Sequence, residues 1–198
     1  MKTSKTAIVI FLLLIIGMFT VIYFFNTKES KSGFNQSSVV VKIQSLNRLE
    51  TASFTIEKII ESGTGKNAFE NVLFGDKILL IAHANIIAGF DFSKIKETDI
   101  KVNGGTLTIQ MPAPEILVSK LDNEKTRVYD RKLGFLTKGN PSLEAQTRLI
   151  AENSIKQDAC KAGILDSATI NAKKQIIILF TSVGFKEVIL KIPSGNCE

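Results

Sequence analysis

One stretch near the N-terminus constrains this chain more than any other feature. Residues 7–25 form a run of nineteen residues without a charged side chain. As an α-helix this run would be about 28 Å long, close to the roughly 30 Å thickness of the hydrocarbon core of a bilayer. Tyr23 and Phe24 would lie at the far headgroups. The sequence therefore predicts a transmembrane helix over residues 7–25. We name Ala7, Leu13, Gly17 and Phe25 as the residues that represent this predicted membrane anchor.

A cleaved secretory signal is the main alternative for this run. A signal has a shorter apolar region, roughly 7–15 residues, and ends in a cleavage site of small residues. Here the run continues directly into Asn26, Thr27 and Lys28, and no cysteine lies close behind it to carry a lipoprotein anchor. We therefore predict an uncleaved signal-anchor and a single-pass membrane protein.

The orientation of the helix depends on the charges at its two ends. Lys2 and Lys5 precede the run, whereas Lys28 and Lys31 follow it together with Glu29. A short positive tail before the first apolar segment usually stays in the cytoplasm. This small difference predicts an extracytoplasmic C-terminal domain at the cell membrane and leaves the opposite orientation open.

The rest of the chain has room for one domain. Residues 1–6 form a short basic tail, and residues 26–38 read as a flexible polar spacer. Residues 39–198 can close one sizeable core but are too few for two. The net charge of +6 is mild, Trp is absent and Tyr occurs twice. Nucleic acid is therefore not predicted as a partner, because single-strand binding uses basic residues interleaved with stacking aromatics.

Apolar periodicity predicts the main strands of this domain. Residues 77–91 alternate strictly, and the other face of this strand is partly apolar too, so we expect a central strand covered on both sides. Residues 99–111 form a hairpin around Gly104 and Gly105. A short helix is predicted within residues 39–49 and a strand within 53–60.

The C-terminal part is predicted to be helical from Pro141 onward. Gly163 is expected to kink or divide the helix, Gly184 to end it, and residues 185–192 to form a last strand. The fold class is thus α+β, with a mainly antiparallel sheet and a long C-terminal helix. The predicted buried stripe of that helix is Leu165, Ala168, Ala172, Ile176, Leu179 and Val183.

Several short motifs, in this order and spacing, resemble the bacterial domain-of-unknown-function family 4230. They are Leu46…Leu49-Glu50-Thr51, AGFDFSKI at residues 88–95, TIQMPAPEI at residues 108–116, and the C-terminal Gly163-Ile164-Leu165, Asn171-Ala172 and Gly184-Phe185. The resemblance covers nearly everything after the spacer. It implies a membrane-anchored protein without an assigned activity, and it supplies no catalytic residue.

Candidate chemistry is sparse. His83 is the only histidine, so a catalytic triad or most zinc sites would have to use it, and a structural histidine is the preferred interpretation. Asp91, at the end of the long strand, could be a general base but suits a turn that accepts backbone N–H groups. Glu61, Glu70 and Asp76 leave a carboxylate dyad possible and unsupported. We predict no catalytic residue, metal site or cofactor.

Two further features concern the surface and the cysteines. Residues 125–138 read as a solvated basic loop, which could contact anionic lipid or an envelope polymer. Cys160 and Cys197 form neither a metal cluster nor a disulfide framework, and we expect two free thiols while pairing stays open. The candidate anionic-surface contacts are Lys125, Arg127, Arg131 and Lys132.

Two hypotheses for function remain. The preferred one is a membrane-tethered binding or structural module of the cell envelope, with lipid or a protein as its partner. The alternative is a membrane-tethered enzyme whose carboxylates converge only in three dimensions. A concave pocket with at least two carboxylates would favour the enzyme, and a flat surface with an apolar or basic patch would favour the module.

Overall fold

A computed structural model describes residues 15–18, 20, 36–65 and 67–197. The chain divides into two compact units, Met1–Phe34 and Asn35–Glu198. In the first unit residues 15–18 and 20 are helical, and the Thr20 hydroxyl donates to the Gly17 carbonyl at 2.9 Å. In the described ranges no helix combines the length and the apolar character that a membrane span needs. The predicted anchor otherwise lies outside the described residues, as do Ala7, Leu13 and Phe25.

The second unit is an α+β domain. Its first helix begins at Gln36, inside the predicted spacer. Two 3₁₀ turns, Phe92–Lys94 and Glu97–Asp99, follow the long second strand. In chain order the elements are α1 (Gln36–Gln44), β1 (Arg48–Gly63), α2 (Ala68–Phe74), β2 (Asp76–Asp91), β3 (Ile100–Asn103), β4 (Thr106–Gln110), β5 (Glu115–Leu121), β6 (Arg127–Leu133), α3 (Leu143–Lys161), α4 (Ile164–Ser182) and β7 (Glu187–Lys191).

The first sheet is antiparallel and has β2 at its centre. β1 pairs with β2 along almost its whole length, from Arg48–Asp91 to Gly63–Lys77. On the other side β5 and β6 pair with successive halves of β2, so together they act as one interrupted strand. The predicted central strand is therefore confirmed, and β6 replaces much of the loop expected at residues 125–138.

The two faces of β2 differ sharply in burial. Even-numbered side chains from Ile78 to Phe90 are buried against the helices, because the period of a strand is two. Odd-numbered side chains, among them Leu79, Ile81 and Ile87, are only partly buried. The expected cover on both faces is thus wrong for the described part of the chain, and one face of the sheet is open.

The second sheet is small and mixed. β3 and β4 form the predicted hairpin, in which Gly104 and Gly105 both have positive φ, as a tight two-residue turn requires. β7 joins β4 in parallel, and this pairing continues through the Met111 N–H, which donates to the Lys191 carbonyl at 2.8 Å.

Two hydrophobic clusters support the sheets, and α4 belongs to both. Its N-terminal half, including Ala168, packs with α3 on the buried face of the first sheet. Its C-terminal half, including Ile176 and Phe180, packs with α1 and the second sheet. The predicted long helix is divided in two at Gly163, which has a φ of 78°, and division was one of the two outcomes expected there. Leu179 and Val183, predicted in the buried stripe, are only partly buried, and Phe180 takes the core position.

Cys160 and Cys197 form a disulfide, with their Cα atoms 6.2 Å apart. The expectation of two free thiols is therefore wrong. The reason lies in the packing, because the C-terminal tail runs back past Pro114 and brings Cys197 to the last turn of α3. The bond fastens the tail to the helical layer, and Cys197 packs against the core of the first sheet.

Loss of this disulfide is expected to destabilise the domain by about 3–4 kcal/mol, because it closes a loop with a sequence separation of 37. Urea unfolding of residues 35–198 with and without reductant measures the loss. Cys160→Ala and Cys197→Ala serve as matched variants, since each removes the same cross-link. Unchanged midpoints under reduction would show that the cross-link contributes nothing.

Candidate functional site

The open face of the first sheet carries several of the polar residues singled out from sequence. We call it the open sheet face; it consists of the outward side chains of β1, β2 and β6. His83 on β2 lies opposite Glu57 on β1, and its Nε2 is 3.5 Å from the Glu57 carboxylate. The imidazole is 21% exposed and the carboxylate is 60% exposed. This isolated pair resembles a cross-strand contact more than an acid–base site.

The backbone of His83 is held by a loop that separates β5 from β6. The Thr126 hydroxyl accepts from the His83 N–H at 3.1 Å and donates to the His83 carbonyl at 3.2 Å. The Asp122 N–H also donates to that carbonyl, at 2.8 Å. Thr126 is buried, so its hydroxyl replaces the missing strand partner. Sequence reasoning missed this arrangement, since a lone threonine in a polar segment carries no signal.

The four basic residues named from sequence do not form one surface. Lys125 lies in the turn before β6, 3.4 Å from Asp122. Arg127 and Lys132 are outward and exposed on β6. Arg131 is on the other face of the same strand and is bonded to Asp76. The structure thus brings Arg127 and Lys132 onto the open sheet face and takes Arg131 away from it.

Asp76 is the centre of a buried polar cluster at one end of the first sheet. Its carboxylate is 1% exposed and accepts from Arg131 Nε at 3.0 Å and Nη2 at 2.7 Å. It also accepts from the Asn140 N–H at 2.6 Å. The hydrogen bonds from Arg131 hold the pKa of Asp76 below its ordinary value, against desolvation, which raises it. Asp76 is therefore an ionised structural group that ties the segment before α3 to β2.

Asp91 terminates β2 as one of its two sequence interpretations predicted. It accepts from the Ser93 hydroxyl at 2.6 Å and from the Ser93 N–H at 3.1 Å. The hydrogen bond from the Ser93 hydroxyl is the main cause that lowers the pKa of Asp91. A carboxylate held in this turn is a poor proton acceptor at neutral pH.

Two further carboxylates of the open sheet face, those of Glu61 and Asp130, are paired with lysines. A shallow depression there is lined by Glu61, Lys77, Asp130 and Lys132, among others. Lys77 Nζ lies 3.2 Å from Glu61, and Lys132 Nζ lies 3.8 Å from Asp130. Among the described residues no group of three His, Cys, Asp or Glu side chains could hold a metal ion. The arrangement suits contact with another surface better than acid–base chemistry.

The end of the first sheet that carries Asp76 has a second feature, which was not found from sequence. Six large apolar side chains from α2, from the last residue of β6 and from the segment after β6 are exposed there, and we call them the apolar tip. The sequence signal was two short apolar runs beside Gly75 and Gly134, too short for periodicity to interpret. The apolar tip comprises Phe69, Val72, Phe74, Leu133, Phe135 and Leu136.

The fold and these surfaces define a small α+β domain with helices on one face of an antiparallel sheet. A family model described as protein of unknown function (DUF4230) matches residues 41–190. The match covers most of the chain, so the protein belongs to this family, which confirms the resemblance. No curated protein and no solved structure matches the chain.

Proposed function

We propose that the protein is a single-pass membrane protein whose α+β domain is a binding or structural module of the cell envelope. The charge-free run at residues 7–25 carries this proposal, because its length matches the hydrocarbon core of a bilayer. The domain after it is compact by itself, so it can be displayed from such an anchor.

The disulfide supports an extracytoplasmic position for the domain. Disulfides form and persist in oxidising compartments and are rare in the cytosol, where thiols are kept reduced. The Cys160–Cys197 bond therefore agrees with the orientation that the charges flanking the apolar run favour.

The surface that would meet a partner is the exposed basic edge around β6. Lys125, Arg127 and Lys132 are exposed, and the chain as a whole has a net charge of +6. Anionic headgroups or an acidic envelope polymer complement such a surface through screened attraction. Arg131 is left out of this contact, because Asp76 already binds it.

Fractionation of cells that express the full chain tests the anchor. We expect the protein to stay with membranes through high-salt and alkaline washes and to be released by detergent. A Leu13→Arg/Ile15→Arg variant should lose this behaviour, because each arginine costs about 2.5–3.5 kcal/mol at the centre of a span. A soluble mature form that begins near Asn26, identified by N-terminal sequencing, would overturn the anchor.

Thiol trapping tests the side of the membrane. Free thiols are first blocked in acid-quenched cells, and the protein is then reduced and labelled with a heavier reagent. We expect Cys160 and Cys197 to carry the second label. A full-length, membrane-bound protein with only the first label would place the domain in the cytoplasm and overturn the envelope assignment.

A further inference from the structure

The apolar tip contains the two most exposed large apolar side chains of the described domain. Phe135 is 88% exposed and Phe69 is 74% exposed, and the other four side chains are more than half exposed. Isolated exposed apolar residues are ordinary, but six of them on two adjacent chain segments are not. An exposed apolar surface of this kind marks a site of contact with a protein, a ligand or a membrane.

The backbone beneath these side chains is fixed. The N–H groups of Gly134, Phe135 and Leu136 donate to the carbonyls of Gly75, Val72 and Leu73, at 2.7, 3.1 and 2.8 Å. A side chain at Gly134 would collide with the Leu73 backbone at 2.6 Å, so the two segments lie in close contact. Backbone hydrogen bonds and close packing therefore fix the two chain segments that carry the apolar tip.

Helix α2 is held without a core of its own. It has seven residues, none of them buried, and such a short helix is marginal by propensity alone. The Asn67 side chain caps it by accepting from the Glu70 N–H at 2.8 Å, and the hydrogen bonds to residues 134–136 hold its other end. Capping and backbone bonds thus keep Phe69, Val72 and Phe74 directed into solvent.

We propose that the apolar tip inserts into the interfacial layer of a lipid bilayer. Its six side chains contain no hydrogen-bonding group, whereas protein interfaces carry about one hydrogen bond per 100–200 Å². The phenylalanines protrude instead of lining a groove, so a deformable apolar solvent matches them better than a rigid partner. Phenylalanine and leucine beside lysines are the pattern of segments that lie at membrane surfaces.

Lysines border the apolar tip at headgroup level. Lys77 and Lys132 face each other across β2 and β6, one residue pair inside the end of the sheet formed by Asp76 and Leu133. Lys138 follows two residues after Leu136 and is exposed. Lys77 and Lys132 also face Glu61 and Asp130, so the electrostatic share is small and the apolar contact dominates.

This inference deepens the proposed lipid contact. It rests on the proposed membrane anchor only in that the anchor would keep the domain close to a bilayer in the cell. The apolar tip is at the Asp76 end of β2, while α1, which begins inside the predicted spacer, packs near Ile95, four residues beyond the Asp91 end. A residue rise of about 3.3 Å puts those two ends of the strand about 50 Å apart. The domain would thus have a lipid contact of its own, separate from its tether.

Vesicle flotation of residues 35–198 tests the lipid contact without the anchor. This fragment is a compact unit with its own cores and disulfide, so it can be studied alone. We expect it to float with vesicles of phosphatidylcholine and phosphatidylglycerol, and more weakly with phosphatidylcholine alone. Phe135→Ser should lower partitioning about tenfold or more, since that is the scale of burying one phenylalanine.

Two exposed aliphatic residues give a matched comparison. Leu136 in the apolar tip and Ile178 on α4 are 65% and 67% exposed. Leu136→Ser should reduce flotation severalfold, while Ile178→Ser should leave it unchanged, and both should melt like the wild type. Equal effects of the two variants, or no flotation of the folded wild-type fragment, would overturn the proposal.

The full chain offers an independent measurement, because it contains no tryptophan. In proteoliposomes with brominated acyl chains, the fluorescence of Phe135→Trp should be quenched, whereas that of Ile189→Trp on β7 should not. If the Phe135→Ser fragment instead loses self-association in sedimentation while lipid quenching is absent, the apolar tip binds a second copy, and the lipid assignment is wrong. Failure of the alkaline-wash test with normal flotation would overturn the anchor alone.

Discussion

Phe180→Ala is expected to lower the free energy of unfolding of the domain by about 3–5 kcal/mol, the range for deleting a buried aromatic ring. Phe180 is 2% exposed and lies in the cluster shared by α1, α4 and the second sheet. Its ring meets that of Phe185 edge to face, with centroids 6.0 Å apart. Because α1, β3, β4 and β7 all contribute to this cluster, the surroundings cannot collapse fully into the cavity. Denaturant unfolding of residues 35–198 measures the loss.

The adjacent residue provides the control for this effect. Leu179 is partly buried at the edge of the same cluster, so Leu179→Ala should cost only about 1–2.5 kcal/mol, half the range for a fully buried leucine. The two variants thus test which face of α4 is buried at its C-terminal end. Equal losses, or a larger loss for Leu179→Ala, would place the buried stripe where the sequence predicted it.

The sequence could not show which of these two residues is buried, for a geometric reason. Helical spacing permits a step of either three or four residues after Ile176, and both Leu179 and Phe180 are apolar. The choice depends on the direction from which the second sheet approaches, and Phe185 from the following turn completes that contact. Periodicity therefore predicted the helix, Gly163 predicted its division, and only the packing selected the core residue.

The short strand β6 at the edge of the first sheet was harder to predict than the central strand β2. β2 alternates over sixteen residues, so its pattern identified it clearly. β6 reads RVYDRKL, and no alternation is visible because Arg131 points inward to a buried carboxylate. The sequence likewise could not reveal the disulfide, since the approach of Cys197 depends on the path of the tail past Pro114. The apolar tip was missed because its two halves are far apart in sequence.

The Asp76–Arg131 pair should dominate the stability of the end of the sheet that carries the apolar tip. Asp76→Asn removes a charge-assisted contact and should cost about 1.5–3 kcal/mol at neutral pH. Because the folded-state pKa of Asp76 is lowered, its contribution is fully present above the unfolded value of about 3.9. It is lost as the pH falls through the lower folded value, so the wild type and Asp76→Asn should converge in acid.

Arg131→Met should be worse than Asp76→Asn at pH 7, although methionine keeps much of the length of the side chain. The substitution leaves the Asp76 carboxylate, which is 1% exposed, without its cationic partner. An uncompensated buried carboxylate costs about 3–5 kcal/mol. The backbone N–H of Asn140 remains as a donor to Asp76 but cannot neutralise its charge. The gap between the two variants should close as the pH falls, because protonation removes the stranded charge.

The double variant Asp76→Asn/Arg131→Met should recover part of the loss, since neither charge is then buried alone. Urea unfolding of residues 35–198 between pH 7 and pH 3 gives all three values. If Arg131→Met costs no more than Asp76→Asn at pH 7, solvent or another group compensates Asp76, and the pair does not hold this end of the sheet.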